Sequence, residues 1–257
     1  MTLLTADIIA MFYTVIWPLT RITAALMTMP FLSVEAANAR IRLTLAVALT
    51  ALVMPMFEWP VIDPLTGHGL ITLVNEIAIG IFIGLTLQIV TSALLLAGQY
   101  ISSSMGLSIA TLIDPTFGNV PTIAQFLIIL GALIFFALGG HLIMISVLVD
   151  SFSLLPVGKP ILDLQSIRNL LQWSSMMFLG ALLIALPVMA ALILINIGMG
   201  VVTRAAPSLN IFVVGFPAMI FAGFLLIFVS MGVTGNRIEL LWLQGFSKVR
   251  EVLGIGS

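Results

Sequence analysis

Six apolar blocks set the terms for this chain. They run roughly over residues 8–30, 41–57, 70–97, 123–149, 170–202 and 211–233. Several reach the length of about 20 residues that a helix needs to cross a bilayer. With 61% hydrophobic and 7% charged residues, against about 25% charged in an ordinary soluble domain, the chain reads as integral to a membrane or deeply associated with one. Its net charge of -1 and scattered basic residues exclude a nucleic-acid footprint, which needs a clustered Lys/Arg face, and no polybasic lipid-binding run is present. There is no cysteine, which removes disulfides, a thiol nucleophile and cysteine metal ligation. His68 and His141 are the two imidazoles, and nothing in the sequence places them together. The first 21 residues lack a basic n-region and a small-residue cleavage site, so the first hydrophobic segment is expected to persist.

The blocks are not uniform. Residues 41–57 are short for a span, and 170–202 are long and contain Pro187, Asn196, Gly198 and Gly200. Interior proline removes a helix hydrogen bond and clashes with the preceding turn, which predicts kinks at Pro18, Pro187 and Pro217. With the N-terminus outside, Arg40 and Arg42 fall inside as the charge rule requires, and the Lys- and Arg-free loop 58–69 falls outside. Six crossings then put Lys159, Arg168 and the tail's Arg237, Lys248 and Arg250 outside, against the rule. Either a block is re-entrant, or some helices never span and are hidden inside an assembly; irregular or non-spanning hairpins are the preferred reading. Residues 236–254 alternate apolar and polar positions at helical spacing and are too polar to span. They predict an amphipathic helix at an interface or against a partner.

Between two long apolar blocks lies AGQYISSSMGLSIATLIDPTFGNVP, residues 97–121. Unpaired backbone groups cost several kcal/mol in hydrocarbon, so broken backbone at membrane depth persists only when buried in protein or lining an aqueous cavity. This polar stretch is therefore the expected working part, and the apolar blocks are its frame. Upstream, Glu76, Gly80, Gly84 and Gln88 recur every fourth residue and share one helical face, where small residues admit a close neighbouring backbone. The glycines alone fit a generic helix-packing seam. Glu76 adds a polar contact at one end, because an ionisable residue at that depth faces a partner or a wet cavity. The face reads as a subunit or intramolecular packing edge.

Downstream, Gln125 and His141 interrupt an apolar helix; the histidine reads as a packing residue near an interface, and GGH at 139–141 as a helix end. Residues 150–168 form the most soluble connection, with Asp163 or Ser166 as alternative caps for the next helix. Arg204 is open to two readings, a snorkelling arginine at a helix end or, with Asn210, a lock on a tight hairpin against a neighbouring chain.

The usual reacting groups are missing. No G-x-S-x-G elbow with a histidine partner and no H-E-x-x-H motif occurs, nor a phosphate loop. Asp114 is the lone acid of the central stretch, which leaves no carboxylate pair for acid and base work; before Pro115 it reads as a turn initiator. No catalysis, metal or cofactor is expected.

The strings E-x-x-x-G-x-x-x-G over 76–84, GQYISSSMGLSIATLIDPTFGNVP over 98–121 and RAAPSLNIFVVGFP over 204–217, in that order and across nearly the whole chain, resemble the FliR family of flagellar type III export gates, whose virulence-system relatives are the SctT proteins. The resemblance implies an all-α fold of kinked, membrane-associated helical hairpins, part of a hetero-oligomeric helical channel at the flagellar basal body of the bacterial inner membrane. It implies assembly with FliP and FliQ, engagement of FlhB, and passage of unfolded flagellar proteins. Much of such an assembly is lifted out of the membrane plane, which would account for the failed charge rule. One domain over 1–257 is expected: hairpins over 1–97, a plug region over 98–122, and hairpins with an amphipathic tail over 123–257.

In that family the segment matching 105–121 projects into the channel and helps keep it shut. Here Met105, Leu107, Ile109, Leu112, Ile113 and Phe117 supply apolar contacts for a narrow lumen, and a hydrophobic constriction gates by dewetting. Gly106 and Gly118 are the expected flexible points; Pro115 and Pro121 limit unravelling, and Asp114 and Asn119 belong to the same closure segment. The alternative class is a secondary transporter with a midplane site of Glu76, Gln99, Asp114 and Arg204; such folds show broken helices and internal repeats, and no convincing repeat is found here.

Overall fold

A computed structural model describes residues 2–30, 38–107, 121–159, 164–205 and 215–253. Among these residues all regular structure is helical, as hydrocarbon demands of a chain that must satisfy its backbone hydrogen bonds within each segment. The helices are α1 (Thr2–Thr28), α2 (Ala39–Val53, closed by a 3-10 turn at Met54–Met56), α3 (Gly67–Ser104), α4 (Thr122–Ala137), α5 (Gly140–Leu154), α6 (Leu164–Ser174), α7 (Met176–Ala205) and α8 (Phe216–Val252). Five helical segments are long and apolar enough to cross a membrane, or six if the bent pair α4 and α5 counts as one.

The described chain divides into two compact units. The first takes residues 1–89, 139–174 and 244–257. Its core is built from Trp17 and Ile22 of α1 and Met29 just after it, Ile79, Ile83 and Leu87 of α3, Met144 and Val147 of α5, and Trp173 of α6. Trp173 Nε1 donates to the Thr86 carbonyl at 2.9 Å, so its one polar atom is satisfied where the ring is buried. The second unit takes residues 90–138 and 175–243. Leu94, Ala97 and Ile101 of α3 are buried there, as are Leu127 and Phe135 of α4, Ile184 and Leu192 of α7, and Ile238 and Trp242 of α8. Trp242 Nε1 donates to the Gly131 carbonyl at 3.1 Å, and its ring stands 4.8 Å from that of Phe135.

Four expectations from the sequence are corrected. The apolar block 123–149 is two helices bent by 67°. The break falls at Gly139, whose φ of 68° lies in the left-handed region that glycine enters without a Cβ clash. Pro217 does not kink a helix: it is the second residue of α8, where a missing N–H would have had no partner anyway. The tail is no separate amphipathic helix, since α8 runs unbroken from Phe216 to Val252. Its apolar positions Ile238, Trp242, Phe246 and Val249 are buried within the chain itself. Finally, α3 passes Ala97 and continues to Ser104, so the first part of the polar stretch is helical. Ser104 Oγ returns to the Tyr100 carbonyl at 2.9 Å, and serines that bond to the preceding turn in this way are compatible with a buried apolar helix. Pro18 and Pro187 lie inside the continuous helices α1 and α7.

Helix α8 carries its apolar surface differently from α3. Over their most apolar stretches, 56% of α3 but 11% of α8 is buried within the chain. Phe221, Phe228 and Val229 are each exposed by more than two thirds, a patch that belongs in lipid or against other chains.

Candidate functional site

The charged centre of the first unit is an ion pair that no water reaches. Arg21 of α1 and Glu76 of α3 are both fully buried and meet at 2.7 Å from Nε to Oε2. Nη2 donates to Oε1 at 3.1 Å, completing the two-pronged geometry that the planar guanidinium favours. The remaining donors turn to α5. Nη1 donates to the Ser151 carbonyl at 2.8 Å and to Ser151 Oγ at 3.1 Å, and Nη2 donates to the Leu155 carbonyl at 2.8 Å. Ser151 Oγ itself donates to the Leu148 carbonyl at 2.6 Å. All five guanidinium N–H groups are therefore used. The guanidinium carbon also sits 4.3 Å from the centre of the Phe152 ring, on the π face that attracts cations.

The location on α5 is physically apt. The Leu155 carbonyl lies past the last turn of α5, where carbonyls lack an intrahelical donor, and the helix dipole puts partial negative charge there; the Ser151 carbonyl also accepts from Leu155 N–H at 3.0 Å. Arg21 supplies both donors and a positive charge to that end, while Glu76 neutralises the arginine. One side chain thus ties three helices together.

The face of α3 that carries Glu76 is pressed against α1. A Cβ on Gly80 would run into the Arg21 carbonyl and stand 2.8 Å from both the Ala24 Cβ and the Ala25 nitrogen. A Cβ on Gly84 would run into the side chain of Thr28. Only hydrogen fits at either position, so glycine spacing sets how closely the two backbones approach. Gln88, next along this face, has a buried Oε1 with no partner among the described residues. In the second unit the same device recurs where α3 meets α4: a Cβ on Gly98 would collide with the Ala124 backbone.

The polar stretch is described at its two ends. Met105 is fully buried and covers Gly223 of α8, where an added Cβ would lie 2.6–2.7 Å from its Cγ, Sδ and Cε. Gly106 then takes a φ of 81°, a left-handed exit of the type that ends many helices, with the Phe216 ring beside it. Its N–H donates to the Ser103 carbonyl at 3.0 Å, and Leu107 N–H to that of Ser102 at 3.1 Å. At the far end the Pro121 carbonyl accepts from Ala124 and Gln125 N–H and opens α4. Ile109, Leu112, Ile113, Asp114, Pro115, Phe117, Gly118 and Asn119 lie outside the described residues, as does Asn210. Arg204 is exposed in the last turn of α7, where a cation complements the helix dipole.

Sequence reasoning finds Glu76 and passes over Arg21. The signal was present: Arg21 is the sole charged residue of the block 8–30, and an ionisable residue inside an apolar block calls for a named partner whichever its sign. Which acid it meets is set by tertiary packing. Among the described residues no group of three or more His, Asp or Glu side chains is arranged to hold a metal.

Buried helix-to-helix contacts, glycine seams and a fully consumed ion pair define an all-α membrane protein whose described polar groups hold helices together. Comparison with known proteins gives that class its family: residues 12–244 match the bacterial export proteins, family 1, and the chain belongs to that family. It is 34% identical over 238 residues to the flagellar biosynthetic protein FliR of Escherichia coli (strain K12), covering 92% of this chain and 91% of that protein. The FliR proteins of Bacillus subtilis (strain 168) and Aquifex aeolicus (strain VF5) are 29% and 30% identical, each with more than four fifths of both chains covered. The chain is a membrane component of the flagellar export apparatus.

Proposed function

We propose that this chain is a core subunit of the flagellar type III protein export gate, forming the export channel with FliP and FliQ, engaging FlhB, and helping to close the conduit with residues 105–121. It performs no bond-making. The setting is the inner membrane at the flagellar basal body, and the cargo is unfolded flagellar protein in transit. The observation that carries the closure reading is the construction of the segment's root. Met105 is locked against Gly223, and the next residue, Gly106, turns the chain out of α3 in a conformation that side-chain-bearing residues rarely adopt. The helices on either side of the segment are thus fixed at its two ends, at Met105 and at Pro121.

Against the transporter reading, the Glu76 carboxylate, one of the two acids of its midplane site, is consumed by Arg21 and fully buried. The test is removal of part of 108–120 in a gate co-expressed with its partners, followed by measurement of ion leak across the membrane. A raised leak with intact assembly is expected; an unaltered barrier in assembled gates overturns the closure role.

A further inference from the structure

The first turns of α8 touch the rest of the second unit sparsely. Between residues 216 and 237 only Met219 and Gly223 are buried, while Phe221, Phe228 and Val229 stand exposed. What this narrow strip covers is the exit from α3. Phe216 and Gly223 are seven residues apart, about two helical turns, and so share one face. A Cβ on Gly223 would lie 2.6 Å from both Cγ and Cε of Met105 and 2.7 Å from its Sδ. The Phe216 ring lies 3.3 Å from where a Cβ on Gly106 would stand. Two consecutive residues at the end of α3 are thus each met by one residue of α8.

Two features give this contact a specific job. The first is its tightness. Those distances are shorter than real Cβ atoms keep, so only glycine admits the Met105 side chain there. The thioether end of a methionine can swing aside, but Cγ is bonded directly to Cβ and its place is fixed by χ1. A methyl at position 223 is therefore accommodated only by changing the Met105 rotamer or by moving a backbone. The second feature is its place in the chain. Met105 is fully buried and is the last residue before Gly106, whose φ of 81° turns the chain out of α3. Whatever displaces Met105 displaces the point at which the chain departs.

We propose, resting on the closure role of residues 105–121, that Gly223 is a positioning residue for that closure. By seating Met105, with Phe216 against Gly106, α8 sets where and in which direction the chain leaves α3. The closing segment is then held by a second helix, 118 positions further along the chain at Gly223, as well as by the helix it leaves.

Ion leak through gates assembled with their partner subunits and reconstituted into vesicles tests it. Gly223→Ala should raise the leak about tenfold or more, because crowding of this kind shifts the balance between seated and displaced Met105 by about that factor. Met105→Ala, which empties the seat without crowding it, should leak as well. Gly131→Ala crowds the Leu94 side chain elsewhere in the same unit and should keep the parent's barrier; a leak equal to that of Gly223→Ala would make Gly223 a merely structural residue and overturn the proposal. The chain has no cysteine, so Met105→Cys with Gly223→Cys adds a reversible lock. A sulfur at the place of the Met105 Cγ would be within disulfide reach of a Cβ at 223. Oxidation should cross-link the pair in assembled gates and lower their leak about tenfold, and reduction should restore it, while the parent gate stays unchanged through the same treatment. Failure to cross-link, or a leak indifferent to the cross-link, overturns the proposal. Removal of part of 108–120 in the same assay separates the two readings. A leak from that deletion beside a tight Gly223→Ala gate overturns the seat alone; tight gates in both overturn the closure role and the seat with it.

Discussion

Replacing Arg21 with Met, and separately Glu76 with Gln, probes the buried ion pair from its two sides, and the structure predicts unequal outcomes. Removing one partner of a buried pair leaves an uncompensated charge and costs about 3–5 kcal/mol. Glu76→Gln keeps an oxygen that still accepts from Arg21, so its loss belongs near about 3 kcal/mol. Arg21→Met strands the Glu76 carboxylate and also removes the donors to Ser151 and Leu155, each such acceptor adding about 1–3 kcal/mol when left buried and unpaired. The Ser151 carbonyl keeps one bond, from Leu155 N–H at 3.0 Å, so most of this extra loss falls on Leu155. Arg21→Met should therefore be the worse of the two, and Arg21→Lys should not restore stability, because three donors on a point charge cannot reproduce the five-donor fork.

The double variant Arg21→Met, Glu76→Leu removes both charges and should recover most of the loss, as apolar replacements of buried pairs often do. It retains a residual deficit from the Leu155 carbonyl. Thermal unfolding in detergent, followed by tryptophan fluorescence, reads the series. At about 2–4 °C per kcal/mol for a chain of this size, Glu76→Gln should lower the midpoint by about 10 °C. With Glu76→Leu added as the second single variant, the coupling across the double-mutant cycle should exceed about 2 kcal/mol. Single variants within about 0.5 kcal/mol of the parent, or a double variant equal to their sum, would refute the claim that this pair holds α1, α3 and α5 together.

Three further outcomes are expected. Gly98→Val forces a side chain into the Ala124 backbone and should destabilise by about 1–3 kcal/mol; a midpoint equal to the parent's would show that α3 and α4 do not approach as described. Gly139→Ala, at a φ of 68°, should cost about 1–2 kcal/mol, measured in the same unfolding assay, and a neutral result would count against the left-handed turn between α4 and α5. Gly232→Ala and Gly235→Ala meet open space on α8 and should leave the chain's own stability unchanged or raised by up to about 1 kcal/mol. If another chain's helix packs on that face, co-purification with partner subunits should fall while stability does not; destabilisation of the chain alone would contradict the open geometry.

Much of this molecule was legible without coordinates, for reasons that can be named. Long apolar blocks almost empty of charge must become helices in a membrane, and they do. Glu76 announced a polar contact because an ionisable group inside an apolar block needs one, and the four-residue glycine spacing announced a close neighbour. GGH at 139–141 marked a helix end, and the structure ends α4 just before it. What hydropathy over 123–149 missed was the bend, because it registers composition and not direction: α4 and α5 are both apolar, and the left-handed Gly139 turns one from the other.

The sequence by itself determined that the chain is a helical membrane protein, which strings relate it to a family, and which residues are too polar to be left unpaired in an apolar block. Tertiary structure alone decided the partners. That Arg21, 55 positions from Glu76, closes onto its carboxylate and onto the end of α5 follows from how three helices pack, and no local pattern encodes a contact between residues so far apart. The same holds for the tail. Its periodicity fixed which side would be buried, but an apolar stripe does not record whether lipid, a partner or its own chain will cover it. Here Ile238, Trp242, Phe246 and Val249 are covered from within the chain.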